Sequence, residues 1–344
     1  MSHNELTDRE RKVLEAVIHF YVESAEPAGS RSIAKKFDLG VSAATIRNTM
    51  SDLEDRGYLY HPHASAGRIP TDLAYRVYVD RLMAAAEPTA TERDTLQREL
   101  GSDRTAIEAI LYKAAQMLGV LTQELGVAVS PSFDGARLER LELVPVAEGR
   151  VLMVLVLTGG AARTIFVDVP SSLPREAVAG VALVLNERLS GHSLREVRAT
   201  LRERLRDAGL GQQNQLINIF IEEADVIFDV SQGEGKDVVL GSAQMLAGQP
   251  EFHSNEQMRN LLEITERRDV LRQAMESRRG PGLTVTIGGE HPEPQLSKFT
   301  LVTSSYECGE LSGVIGVMGP TRMPYQKVVS LVDHTSRLIG DLLG

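Results

Sequence analysis

The chain has 344 residues, 42% of them apolar, enough to bury a sizeable core in two or three domains. Its formal net charge of −10 argues against indiscriminate nucleic-acid binding. No run approaches the roughly 18–20 apolar residues of a membrane span, the polar start MSHNELTDRERK has no signal-peptide core, and the single cysteine, Cys308, closes no intramolecular disulfide.

A reducing, cytoplasmic address is therefore expected, with Cys308 a small, half-buried strand residue. The acidity is unevenly spread. Residues 1–83 hold 11 Lys and Arg against 12 Asp and Glu, whereas residues 84–344 hold 26 against 35. Within residues 27–81 the balance turns to 8 against 6, a weak basic bias that by itself does not point to DNA.

Residues 7–24 open on a Thr7…Glu10 capping box and carry Leu14, Val17, Ile18 and Tyr21 on one face, which predicts an amphipathic helix. Pro27-Ala28-Gly29 breaks it. Ser30 is placed to cap a short helix with Ile33, Ala34 and Phe37 inward, and Asp38-Leu39-Gly40-Val41 supplies the turn. Ser42 caps the next helix, in which Ile46, Met50 and Leu53 share a face. Its opposite face carries Ala44, Arg47, Asn48 and Ser51, flanked by Thr45. Small residues permit close approach to a groove, and Arg and Asn hydrogen-bond base edges. A solvated helix face has the same composition, so this helix alone does not decide.

Gly57 ends the helix, and YLYHPHASAGRIP reads as a two-stranded hairpin turning at Ser65-Ala66-Gly67. The whole of residues 30–68 thus has the layout of a winged helix-turn-helix. Arg68, with His61 and His63, is placed to reach phosphate or the minor groove. His61 and His63 form an H-x-H pair with no further ligand nearby, so no metal is expected.

The run VSAATIRNTMSDLEDRGYL, followed by HPHASAGRIPTDLAYRVYVDRLM, resembles the heat-inducible transcription repressor family HrcA, and SAGRIPT at 65–71 is its most specific part. The resemblance returns in GVIGVMGPTRMPYQKVVSLVDH and so spans nearly the whole chain.

From Thr71 a capped helix with Ala74, Val77, Tyr78 and Leu82 apolar leads out of the first domain, bounded at 1–83. Residues 84–102 read as a linker beginning AAAEPTATE. A long amphipathic helix follows over 103–124. LERLELVPV, RVLMVLVLT and RTIFVDVP predict an antiparallel meander, with helices near 174–189, 193–207 and 212–229 behind it. The last of these, QQNQLINIFIEEADVIF, is either core or a subunit interface. A strand at 238–241, helices within 255–276, strands near 283–288, 298–306 and 311–318, and a helix started by Pro324 complete the chain.

This is an α+β, multidomain pattern. Its order resembles a GAF-like α/β domain, 103–132 and 232–344, interrupted by a module at 133–231. The family resemblance implies that this insert, an antiparallel sheet plus helices, serves dimerisation.

GEGK at 233–236 and GGE at 288–290 complete neither phosphate-binding motif and read as turns. No H-E-x-x-H, paired-cysteine motif or G-x-S-x-G elbow is present, so no catalysis and no cofactor are expected. The family resemblance implies a homodimeric repressor of heat-shock chaperone operons that binds an inverted-repeat operator in double-stranded DNA and loses repression on heat stress. Thr45, Arg47 and Asn48 are the candidates for base contact. Arg31, Ser32, Ser42, His63 and Arg68 are the candidates for backbone or wing contact. The resemblance implies the GroE chaperonin as a modulator. The alternative is a ligand-responsive winged-helix regulator with a metabolite-binding GAF-like domain.

Overall fold

The computed structural model describes residues 6–63, 66–84, 86–101, 107–131, 136–147, 149–158, 162–169, 174–206, 212–222, 227, 238–278, 282–308 and 311–343. It is a mixed α+β chain of two compact units. The first takes Met1–Ser130, Val238–Tyr306 and Val314–Leu342, and the second takes Pro131–Asp237, Glu307–Gly313 and Leu343–Gly344.

In the first unit, α1 (Asp8–Ser24) starts on the expected capping box, with Thr7 N donating to Glu10 Oε2 at 2.7 Å and Glu10 N to Thr7 Oγ1 at 3.3 Å. Its stripe of Val13, Leu14, Val17 and Ile18 is buried. The following helix, α2 (Ser30–Lys36), does not use Ser30 as its cap: Gly29 is the N-cap and Ser30 the first helical residue. The cause lies just upstream. Ala28 exchanges backbone hydrogen bonds with Arg68, at 2.8 and 3.0 Å, which holds the chain extended up to Gly29.

Ser42 does cap α3 (Ala43–Asp55), accepting from Thr45 N at 3.2 Å, and Ile46, Thr49, Met50 and Leu53 are buried. The chain then forms a short antiparallel hairpin, β1 (Leu59–Tyr60) with β2 (Ile69–Pro70). Helix α4 (Asp72–Val77), capped by Thr71, continues as a π turn over Tyr78–Leu82.

The region expected as a linker, 84–102, instead contains α5 (Ala90–Gly101), whose Leu96 and Leu100 are fully buried. A Thr89…Glu92 reciprocal cap starts it, with Thr89 N donating to Glu92 Oε2 at 2.9 Å. It packs against α6 (Ile107–Thr122).

The sheet of this unit has the order β7-β3-β10-β9-β8, with β3 at Leu125–Val129, β7 at Val238–Leu240, β8 at Leu283–Ile287, β9 at Phe299–Cys308 and β10 at Leu311–Pro320. The helices Asn255–Glu266 and Arg268–Glu276 bury Leu261, Ile264, Leu271 and Met275 with Leu125, Val127, Leu301 and Val314. Alternation along the strands turns Gly126 and Thr300 the other way, toward α6 and the final helix, Tyr325–Leu343.

In the second unit, β4 (Leu138–Ala147), β5 (Arg150–Leu157) and β6 (Ala162–Asp168) form the expected antiparallel meander. Helices α7 (Arg175–Leu189), α8 (Leu194–Leu205) and α9 (Gln212–Glu222) cover one face of it. Asn186 of α7 brackets Leu141 of β4, accepting from its N at 2.8 Å and donating to its O at 2.6 Å. Leu216, Ile217 and Phe220 of α9 lie in this core, so the described part of 212–229 is core. The other sheet face leaves Val144, Val146 and Phe166 exposed. The GEGK stretch and Ser65 lie outside the described residues.

Candidate nucleic-acid interface

The α3 helix is amphipathic because its apolar residues fall three and four apart, and burial of that stripe forces its remaining face outward. Ala44, Arg47 and Asn48 are exposed there, and Thr45 and Ser51 are half-buried at its margins. Ser42 sits at the N-terminal end with its Oγ 3.0 Å from Thr45 Oγ1. Arg31 and Ser32, in the first turn of α2, and His63, in the hairpin, are also exposed. The candidate residues on α2, α3 and the hairpin are thus exposed or half-buried, and Arg68 differs from the rest.

Arg68 is turned inward. Its side chain is 11% exposed, and its guanidinium is bound by Glu54, with Nε donating to Oε2 at 3.0 Å. The other carboxylate oxygen of Glu54 lies 2.6 Å from His61 Nδ1. Arg68 and His61 thus brace the two hairpin strands against the end of α3 and are not free to reach out to phosphate. The carboxyl of Glu54 is held below the usual 4.5 by its hydrogen bond to His61, assisted by Arg68.

Three further residues shape the site without having been legible as such. Arg56 donates to Glu10 Oε1 at 2.9 Å and lies over the Tyr58 ring at 5.4 Å, tying the end of α3 to the start of α1. Burial of Glu10 by itself raises its pKa, but hydrogen bonds from Thr7 and Arg56 outweigh this and leave it lowered. Gly67 passes so close to the segment between α1 and α2 that a Cβ there would stand 2.5 Å from backbone atoms of Ala28 and Pro27. The glycine of the SAGRIPT motif is therefore needed for this close approach.

A carboxyl whose folded-state pKa lies below its unfolded value adds stability above about 4.5, and that stability is lost as pH falls through the folded value. The melting temperature of the intact chain is accordingly expected to decline below about pH 4.5, and Glu54→Gln to shrink the part of that decline lost with hairpin protection. Hydrogen exchange at Tyr60 and Ile69, followed against pH, reads this directly. An unchanged profile in Glu54→Gln would show that the brace carries none of it.

Residues 108–329 match the family model described as HrcA protein C terminal domain. The heat-inducible transcription repressor HrcA of Pelotomaculum thermopropionicum is 37% identical over 98% of this chain and 97% of its own. That of Chlorobium phaeobacteroides is 37% identical over 97% of each. A crystal structure described as a hypothetical protein at 2.2 Å resolution shares the fold, with a TM-score of 0.60, 24% identity, and coverage of 98% of this chain and 99% of that one. By class, then, the chain is a transcription regulator and not an enzyme. It belongs to the HrcA family of heat-inducible transcription repressors. No described helix is long and apolar enough to cross a membrane.

Proposed function

We propose that the chain is a homodimeric repressor that occupies an inverted-repeat operator ahead of heat-shock chaperone genes and releases it on heat stress. In this reading residues 1–83 are a winged helix-turn-helix, with α3 entering the major groove. Residues 103–132 and 232–344 form a GAF-like domain, and 133–231 is the dimerisation insert. The observation that carries the reading is the outward face of α3, where Arg47 and Asn48 are exposed beside small residues on a helix whose other face is fully buried. Arg31, Ser32, Ser42 and His63 flank that face as backbone contacts, and Arg68 acts as a brace.

The open face of the β4-β5-β6 sheet favours the insert as the pairing surface. Val144, Leu152 and Phe166 lie in one row across the three strands, with Val154 and Val156 in the rows beside it. Two such faces related by a two-fold axis would hold the two α3 helices for half-sites a whole number of DNA turns apart. Heat would act on dimer geometry or folded population, since a marginally stable protein is shifted by small free energies. The GroE chaperonin would modulate the repressor by helping it reach its active fold.

The test is selection from a random-sequence duplex pool. The wild-type chain should recover an inverted repeat, bind it as two chains per duplex, and lose affinity steeply with salt. Recovery of no repeated sequence would sink the proposal. The ligand-responsive alternative is favoured by one observation, an open cleft of about 490 Å³ whose lining includes Glu124, Gln249, Arg322 and Lys327.

A further inference from the structure

The winged-helix elements are fastened to the GAF-like part of the first unit at two points, and each is built from side chains far apart in sequence. At the first, Arg322 donates through Nη1 to the carbonyl of Val22 at 2.7 Å. Val22 lies in the last turn of α1, where carbonyls have no helical donor and a cation is favoured. Glu251 grips the same guanidinium through both its oxygens, with Nη2 to Oε2 at 2.8 Å, so Arg322 is held in one orientation at 13% exposure.

At the second point, the Gly288-Gly289-Glu290 turn receives α4. Gly289 N donates to Asp72 Oδ2 at 2.9 Å, and Arg76 forks onto Glu290 while also donating to the Val285 carbonyl at 2.6 Å. A Cβ on Gly288 would stand 2.1 Å from Asp72 Oδ2, and the residue has φ +50°. This turn is thus bare backbone where the carboxylate enters. Between Asp72 and Arg76, Tyr75 is buried against the Tyr325 ring, with centroids 5.5 Å apart. Neither point uses α3 or the hairpin.

We infer that Arg322 with Glu251, and Arg76 with Glu290, are positioning residues for operator binding: a two-point clamp that fixes the direction in which each α3 helix is presented while leaving its outward face free. This rests on the proposed DNA-binding reading. Once one half-site is bound, the second is captured at an effective concentration set by how well the other reader is already aimed. A loosened clamp should therefore weaken the full repeat and spare the single half-site.

The experiment uses the full-length chain and the inverted repeat selected by the wild type, beside a duplex carrying one half-site. Arg76→Glu and Glu290→Arg are each expected to weaken binding of the full repeat about tenfold or more while leaving the half-site within about twofold, and the double exchange to recover most of the loss. Arg322→Gln should behave like the single exchanges. Full-repeat affinity equal to wild type in all three would overturn the clamp, as would a parallel loss on the half-site. Hydrogen exchange without DNA supplies a second readout. The Gly289 amide should exchange faster in Arg76→Glu and be protected again in the double exchange; no change there also overturns the clamp. If the wild type selects no DNA while this exchange pattern appears, the DNA-binding reading fails and the positioning role in operator binding fails with it, but the fastening stands.

Discussion

Gly126→Ala is expected to unfold the part of the chain built on the five-stranded sheet. A Cβ at this position would stand 1.8 Å from the Ala115 carbonyl oxygen and 2.6 Å from its carbon. Both are backbone atoms in the middle of α6, at a residue that is fully buried, so no side-chain rotation relieves the contact. Gly241, just past the neighbouring strand β7, lies under the same carbonyl, with a Cβ distance of 2.9 Å, and its N donates to Gly126 O at 2.8 Å. Helix and sheet can separate only by giving up the burial of Ala114, Ala115 and Leu118. Overpacking usually costs about 1–3 kcal/mol, and a clash with fixed backbone should exceed that, against a total stability of about 5–15 kcal/mol. Gly101→Ala is the control. Nothing lies within 4 Å of its Cβ position, and the change should be neutral or stabilising by up to about 1 kcal/mol. Urea melts of the two variants decide, and a wild-type midpoint for Gly126→Ala would contradict the packing of α6 on β3.

The second large effect is on assembly. Phe166 is 59% exposed at the edge-strand end of an apolar row, lying under the Arg150 guanidinium at 4.8 Å. An apolar row on a sheet face that no described element covers is the kind of surface that associates. Phe166→Glu should remove the largest apolar side chain of the proposed pairing face and set a carboxylate there that pairing would have to desolvate, while costing the isolated fold little because the side chain is already largely in water. Sedimentation at micromolar concentration should show wild-type dimer and mutant monomer with unchanged circular dichroism. A Phe166→Glu dimer as tight as wild type would move the interface elsewhere, for which the 73% exposed Leu183 of α7 is the first place to look.

Local signals in the sequence carried most of the fold. The reciprocal cap at Thr7/Glu10, the Ser42 cap and the alternation in RVLMVLVLT each depend on residues within a few positions of one another, and each gave the right element. Helix α5 escaped because its sequence is mostly polar with two buried leucines, although Thr89 and Glu92 carried the same cap signal used elsewhere. What was not legible depends on distant partners. Arg68 looked like a free cation until Glu54, 14 residues back, turned it inward. Tyr75 was missed on α4 because Tyr325 covers it, and GGE read only as a turn because Asp72 and Arg76 are more than 200 residues away. The outward face of α3 was legible, since amphipathic periodicity fixes it without reference to anything remote.

The role proposed for this face is to read DNA bases. It is tested most directly by titrating wild type and Arg47→Ala against the selected inverted repeat and a scrambled duplex at one salt concentration. The reading predicts a loss of about 1–3 kcal/mol per base-contacting arginine on the repeat and almost none on scrambled DNA. Equal affinity of the two proteins for the repeat, or an equal loss on both duplexes, would contradict it.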